Sequence, residues 1–112
     1  MSYEVNGATI EADANGYLAN GDDWNEEVAK AIAAEEGVEL QEKSWDIINY
    51  LRDEYINNSG NQPNERHMVK HFKDVWGAET SQNSLYQLFP RGPAKQASKI
   101  AGLPETKRKG GY

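Results

Sequence analysis

The start of the chain alternates between apolar and polar side chains on both sides of a turn signal. The stretch YEVNGATIEAD places Asn6-Gly7 at its centre, and both residues of this pair tolerate a positive φ. The alternation predicts a two-stranded β-hairpin, with strands over 3–5 and 8–12. The next segment, ANGYLANG, is rich in turn-forming residues, and we expect Tyr17 and Leu18 to point inward from it.

A helical spacing of apolar residues replaces the alternation further along the chain. The first helix begins at DDWNEEV, where Asp22 or Asp23 can act as the N-cap, and it ends at Gly37. EKSWDIINYLRDEYI predicts a second helix, which the following NNSG stops. The third helix begins near Pro63-Asn64 and ends at Gly77, and its apolar side consists of Met68, Val69, Phe72, Val75 and Trp76.

Two shorter helices complete the predicted fold. Thr80 or Ser81 caps the fourth helix, QNSLYQLF, and Pro90 ends it, while Pro93 begins a fifth helix that runs to about Ala101. The fold class is therefore mainly α, a small orthogonal bundle of about five helices with an N-terminal β-hairpin. We expect residues 1–102 to form one helical domain. Residues 103–112, here called the C-terminal arm, contain ETKRKGGY, which has no apolar periodicity and predicts a flexible segment.

Length and composition narrow the class of protein. The 112 residues suffice for one domain, and they contain no apolar run long enough to span a membrane. The first residues lack a basic start and an apolar stretch, so we expect no signal peptide and a cytoplasmic location. The chain has no cysteine, which excludes disulfides and thiol chemistry.

Charge is unevenly distributed along the chain. The net charge is −6, but residues 1–63 carry −11 and residues 64–112 carry +5. Such a split indicates either a basic face for a partner or a domain whose two halves complement each other. Both alternatives remain open from the sequence.

No constellation of side chains predicts catalysis. His67 and His71 have the i, i+4 spacing of a metal-binding helix, but no Glu lies between them and no third ligand is signalled. The pairs Asp22-Asp23 and Glu26-Glu27 lie at a helix start, where capping and the helix dipole account for them. We therefore expect no enzyme activity, no catalytic residue, no metal and no cofactor.

The third and fourth helices have the lengths and turn of a helix-turn-helix, which makes DNA a candidate partner. The fourth helix would read bases, although it contains no Arg or Lys, and basic residues of the third helix would contact phosphates. The candidate DNA contacts are Arg66, Lys70, Lys73, Gln82, Asn83 and Gln87.

Three stretches resemble one known family over nearly the whole chain. SLYQLFPRGPAKQASKIAGLP is similar to the closing segment of the gamma-subunit family of dissimilatory sulfite reductase, which includes the DsrC and TusE sulfur carriers. WDIINYLRDEY resembles the family's central helix, and NGYLANGDDWNEEVA resembles the segment that follows its hairpin. The resemblance implies a protein without its own active site, whose arm carries sulfur on a cysteine next to the last residue and inserts into partner enzymes. TusE-like members keep only this cysteine and pass persulfide sulfur toward tRNA thiolation.

The chain departs from the family where sulfur would be carried. Ser98 stands where many members have a second, inner cysteine. Counting from Ser98 by the family's spacing places the arm cysteine at Lys109, and counting from the chain end places it at Gly111. A hydroxyl or an amine at these positions cannot form the persulfide of a thiol.

The hypothesis that follows is a cysteine-free DsrC/TusE-like protein, without catalysis, that docks to or regulates protein partners of sulfur metabolism. These partners would be sulfite-reductase-like or sulfur-relay proteins. One alternative is a helix-turn-helix DNA-binding regulator. The other is a sulfur-relay carrier or sulfite-reductase gamma subunit, if cysteines were removed from the natural sequence. The candidate partner contacts are Arg91, Lys95, Lys99, Lys107, Arg108 and Lys109.

Overall fold

The N-terminal hairpin has the predicted turn and strands close to the predicted ranges. The computed structural model describes residues 1–105 of the chain. Strand β1 covers Ser2–Val5 and pairs antiparallel with β2, Ala8–Glu11, so that Tyr3 lies opposite Ile10. Asn6 and Gly7 both have a positive φ, 52° and 84°, as a tight two-residue hairpin turn requires. Tyr3 is buried and fixes one face of the hairpin on the helices.

Helices and the turns that connect them form the rest of the described chain, which is mainly α as predicted. A short 3-10 helix over Gly21–Asp23 precedes them and was not predicted. The α-helices are α1 Glu26–Glu36, α2 Glu42–Asn57, α3 Glu65–Trp76, α4 Gln82–Leu88 and α5 Pro93–Ile100.

The start of α1 differs from the prediction. Asn25 is the N-cap, since its side-chain oxygen accepts a hydrogen bond from the Val28 N–H at 2.9 Å. Asp22 and Asp23 instead lie in the 3-10 helix, and the extended backbone at Trp24 separates this turn from α1. The predicted cap at Asp22 or Asp23 was therefore wrong, because a 3-10 turn and the extended residues Trp24 and Asn25 come before the helix.

The core draws side chains from every helix. Phe72 and Trp76 of α3 stack with ring centroids 4.2 Å apart, beside the buried Met68. Val75 is 56% exposed, so its assignment to the apolar side of α3 was wrong, because the buried face follows the spacing of Met68, Phe72 and Trp76. The larger fully buried aliphatic side chains are Val28, Ile32, Ile47, Ile48, Leu51, Leu85 and Ile100.

Candidate functional site at helix α5 and the base of the arm

Helix α5 is the most enclosed part of the region that resembles the sulfur carriers. It packs on α1, α2 and α4, and six of its eight residues are buried. Ser98 is only 2% exposed, and its backbone oxygen accepts a hydrogen bond from the Leu103 N–H at 3.0 Å. The other two positions that match the family's cysteines, Lys109 and Gly111, lie outside the described residues, as do Lys107 and Arg108.

Two side chains from distant elements hold the C-terminal end of α5. The Trp24 indole N–H donates to the Ile100 carbonyl at 2.8 Å, and Arg52 Nη1 donates to the Ala101 carbonyl at 2.8 Å. The Arg52 guanidinium lies 3.9 Å from the centroid of the Trp24 ring, a cation–π contact. Burial lowers the pKa of Arg52 below its ordinary value. These contacts satisfy carbonyls that the end of a helix leaves without intrahelical partners.

The arm leaves α5 along a path that is fixed for its first residues. Gly102 has φ 74°, and a Cβ at this position would lie 2.6 Å from Cγ of Trp24, so only glycine fits. Leu103 is 4% exposed, and the Pro104 carbonyl accepts a hydrogen bond from Gln62 Nε2 at 2.8 Å. The packed chain therefore continues past residue 102, the predicted end of the domain. The flexibility of the rest of the arm stays a prediction.

A polar network ties α5 to α1. Glu36 accepts hydrogen bonds from Gln96 Nε2 at 3.1 Å and from Lys99 Nζ at 3.2 Å, and Gln96 Oε1 accepts from the Arg91 N–H at 3.2 Å. The side chains of Lys99 and Glu36 are 16% and 15% exposed, so this ion pair is largely shielded from water. Lys99 thus has a partner within the fold, whereas Arg91 and Lys95, the other candidate partner contacts on this side, are exposed.

Two buried tyrosines extend the same region toward the hairpin. The Tyr3 hydroxyl donates to the Gly16 carbonyl at 2.7 Å, and the Tyr17 hydroxyl donates to the Lys95 carbonyl at 3.5 Å. Burial, with a smaller contribution from Glu36, raises the pKa of Tyr3 to about 12. Burial, followed by the charge of Glu105, raises the pKa of Tyr17 to about 12. Both phenols therefore stay protonated near neutral pH and keep their hydrogen bonds to the backbone.

The basic residues proposed for DNA contact lie on the exposed side of α3. Arg66, Lys70 and Lys73 are all exposed, and they line a groove with Val69 and Gln82. The three cations therefore border the same groove.

Helix α4 lacks the basic side chains that are common on a DNA-recognition helix. Gln82 donates to the buried Glu65 carboxylate at 2.6 Å, so its amide joins α4 to α3, and the Tyr86 hydroxyl donates to the same carboxylate at 3.2 Å. Asn83 and Gln87 are exposed on α4, which has seven residues and no Arg or Lys. The helix-turn-helix interpretation gains no support from this arrangement.

The two histidines of α3 have different surroundings. His71 stacks on Tyr50 with ring centroids 4.1 Å apart, and His67 is exposed on the same helix. Within residues 1–105, no three His, Asp or Glu side chains are grouped so that they could hold a metal ion. In the same part of the chain, none of the helices has the length and apolar character needed to cross a membrane.

Comparison with known sequences identifies the family. The family described as "DsrC like protein" matches residues 4–108. "Sulfurtransferase TusE" of Yersinia pseudotuberculosis is 43% identical over 103 residues, which cover 91% of this chain and 94% of the relative. "Sulfurtransferase TusE homolog" of Haemophilus influenzae is 42% identical over 102 residues, covering 90% of this chain and 93% of the relative.

Solved structures give the same assignment. The crystal structure of the oxidized gamma-subunit of the dissimilatory sulfite reductase (DsrC) from Archaeoglobus fulgidus superposes with a TM-score of 0.88 at 39% identity, over 96% of this chain and 98% of the other. The NMR structure of Allochromatium vinosum DsrC gives a TM-score of 0.85 at 40% identity, with the same coverage. The chain belongs to the DsrC family, which confirms the predicted resemblance. The names of these relatives refer to sulfur transfer and sulfite reduction, and DNA binding is not among them.

Several residues of this site were missed from the sequence. Trp24 lies in DDWNEEV, the predicted start of the first helix, whereas in the structure it precedes α1 and contacts the end of α5. Arg52 and Gln62 carried no signal, because their partners lie far along the chain.

Proposed function

We propose that this protein is a cysteine-free docking or regulatory member of the DsrC family, which binds protein partners of sulfur metabolism without carrying sulfur itself. The partners would be sulfite-reductase-like or sulfur-relay proteins. The protein would occupy the docking site that a sulfur-carrying relative uses. Relatives in this family are named sulfurtransferases and a sulfite reductase gamma subunit, and those names supply the class of partner.

One observation carries the proposal: the end of α5, from which the arm starts, is held by specific side-chain contacts, yet the sequence contains no thiol. The Trp24 and Arg52 hydrogen bonds to the end of α5 support an arm with a defined starting direction. Transfer of persulfide sulfur requires a thiolate that attacks the donor and holds the new S–S bond. The Ser98 hydroxyl does not ionise as a thiol does, and the sequence contains no cysteine.

The test is a sulfur-transfer assay with a persulfide-bearing donor protein and a TusE-type carrier. Intact mass measurement of this protein after incubation with the donor should show no added sulfur atom. An excess of this protein should slow the transfer of sulfur from the donor to the carrier, because both compete for one docking site.

Two variants serve as positive controls for the chemistry. Lys109→Cys and Gly111→Cys place a thiol at the two candidate arm positions, and at least one of them should gain one sulfur atom. A persulfide adduct on the parent protein would overturn the non-catalytic part of the proposal. Failure of the parent to slow the transfer, and to bind the donor or a sulfite-reductase-like complex, would overturn the docking part.

A further inference from the structure

A groove beside α3 has a chemistry that the proposed function does not use. Its volume is about 600 Å³. Its lining residues come from the start and exposed side of α3 and from the first residue of α4, and none of them belongs to α5 or to residues 103–105. The residues that line it are Asn64, Glu65, Arg66, Val69, Lys70, Lys73 and Gln82.

Three cations that have no ion-pair partner in the described part of the chain border this groove. Arg66, Lys70 and Lys73 follow the i, i+4, i+7 spacing of one helix face, and all three are exposed. Within residues 1–105, none of them forms an ion pair with a carboxylate, although the chain carries eighteen Asp and Glu residues. The three cations span about 10 Å along the helix axis at 1.5 Å per residue. Helix α3 therefore presents a short basic row that has no ion-pair partner among residues 1–105.

The lining of the groove combines one apolar side chain with a carboxylate that is already hydrogen-bonded. Val69 lies between the cations in the sequence of α3 and is half-buried, so part of its side chain is open to an apolar contact from a ligand. The buried Glu65 carboxylate accepts hydrogen bonds from Gln82 and Tyr86 and therefore needs no ligand. The groove thus suits a ligand with negative charges on both sides of an apolar group.

We propose that the α3 groove binds an acidic amphipathic helix of a partner protein. Three carboxylates of such a helix, at i, i+4 and i+7, match the spacing of the three cations when the two helices lie side by side. An apolar residue between the carboxylates covers Val69, in the manner of helix-in-groove recognition. A nucleic-acid backbone offers continuous charge and no apolar group for Val69, and so fits the groove less well. This interface is separate from the docking through α5 and the arm.

The probe for this proposal is a synthetic, helix-stabilised peptide with three Glu residues at i, i+4 and i+7 and a Leu between them. Its fluorescently labelled form is titrated with the full protein at several salt concentrations. We expect saturable binding that weakens as salt rises. A peptide with Gln in place of the three Glu residues, and a peptide with Ser in place of Leu, should each bind at least about tenfold more weakly.

A matched pair of double variants tests whether the peptide binds in the α3 groove. Lys70→Gln with Lys73→Gln should weaken binding at least about tenfold, whereas Lys30→Gln with Lys43→Gln removes the same charge elsewhere and should change the affinity less than about twofold. Val69→Ser should weaken binding without changing its salt dependence. The thermal midpoint of each variant verifies that it is folded, and amide chemical shifts of the parent locate the peptide on α3.

Three results would overturn the proposal. The first is a dissociation constant for the acidic peptide weaker than about 1 mM. The second is tighter binding of duplex DNA than of the peptide, with the same loss in the Lys70 and Lys73 variant, which would make the groove a phosphate surface. The third is self-association in sedimentation experiments that this variant abolishes, which would make the groove a contact between copies of the chain.

Discussion

The Trp24 side chain joins the start of the first helix to the end of the last one. Its indole N–H donates to the Ile100 carbonyl, one ring face meets the Arg52 guanidinium, and its Cβ and ring atoms lie against Gly102. Because Gly102 is in a left-handed conformation and has no side chain, the chain can turn at this point against the ring. Trp24 thus packs against Gly102, the last residue before the arm.

The contact between Gly102 and Trp24 predicts a large effect for a small substitution. Gly102→Ala adds a Cβ that would lie 2.6 Å from Cγ of Trp24, in a backbone conformation with φ 74° that alanine disfavours. We expect the free energy of unfolding to fall by about 2 kcal/mol or more, since a left-handed alanine costs about 1 kcal/mol before any overlap. Urea denaturation monitored by circular dichroism measures this change.

Gly37 supplies the control for the backbone contribution. It ends α1 with φ 72°, and a Cβ there would have no atom within 4 Å. Gly37→Ala should therefore cost only about 1 kcal/mol, the value expected for the conformation alone. Equal losses for the two substitutions would show that Trp24 tolerates a side chain at residue 102, and would remove the argument for a tightly fitted arm base.

At the scale of elements, local signals predicted most of the fold. Alternation around Asn6-Gly7 located the hairpin, and glycines and prolines located most helix ends. The errors arose where local rules had competing solutions. Asp22 and Asp23 are good capping residues, but Asn25 lies next to the helix that forms, and the 3-10 turn uses the aspartates instead. Val75 is apolar, yet it lies off the line of Met68 and Phe72 and stays exposed.

The candidate site was less predictable, because long-range pairs build it. The resemblance located Ser98, but it could not show that Glu36 reaches across from α1 to Gln96 and Lys99. The partners in these pairs are more than fifty residues apart, and no periodicity in either helix connects them. A lysine on a terminal helix is usually a solvated cation, and only the packing of α5 on α1 makes Lys99 a shielded partner.

The tie between α1 and α5 predicts that Lys99 contributes to folding. Lys99→Glu places a second carboxylate beside Glu36, where both side chains are about one-sixth exposed or less. We expect this variant to lose about 2 kcal/mol of stability, because loss of a shielded partner leaves an uncompensated charge and adds repulsion. The thermal midpoint and the urea midpoint should both fall.

Two further variants test whether the pair itself is responsible. Lys95→Glu makes the same charge change on an exposed position of α5 and should alter stability by less than about 0.5 kcal/mol. Glu36→Lys combined with Lys99→Glu restores opposite charges and should recover part of the loss. If Lys99→Glu is as harmless as Lys95→Glu, the ion pair contributes nothing measurable and Lys99 belongs with the exposed docking residues.

At the scale of the whole molecule, the basic residues of the C-terminal half serve in two ways. Within the fold, Lys99 from the basic half pairs with Glu36 from the acidic half. The outward set consists of Arg91 and Lys95, which are exposed on the side of α5, and of Lys107, Arg108 and Lys109, which the arm adds in the sequence. Within the described residues, neither Arg91 nor Lys95 forms an ion pair. An acidic groove on a partner would complement the exposed Arg91 and Lys95 and the basic residues of the arm. Lys99 does not belong to this set, because it pairs with Glu36.

The outward set predicts how partner binding depends on salt. Arg91→Gln with Lys95→Gln should weaken capture of the partner at least about tenfold, equivalent to about 1.4 kcal/mol, mainly by slowing association. Removal of residues 106–112 should weaken it further while leaving the packed Leu103 and Pro104 in place. Lys30→Gln with Lys43→Gln removes the same charge elsewhere and should have little effect. Association rates measured at several salt concentrations test whether Arg91 and Lys95 contact the partner. If the double variant associates at an unchanged rate with an unchanged salt dependence, these residues are merely solvated. The binding face should then be sought on the acidic half of the chain, around Glu26 and Glu27.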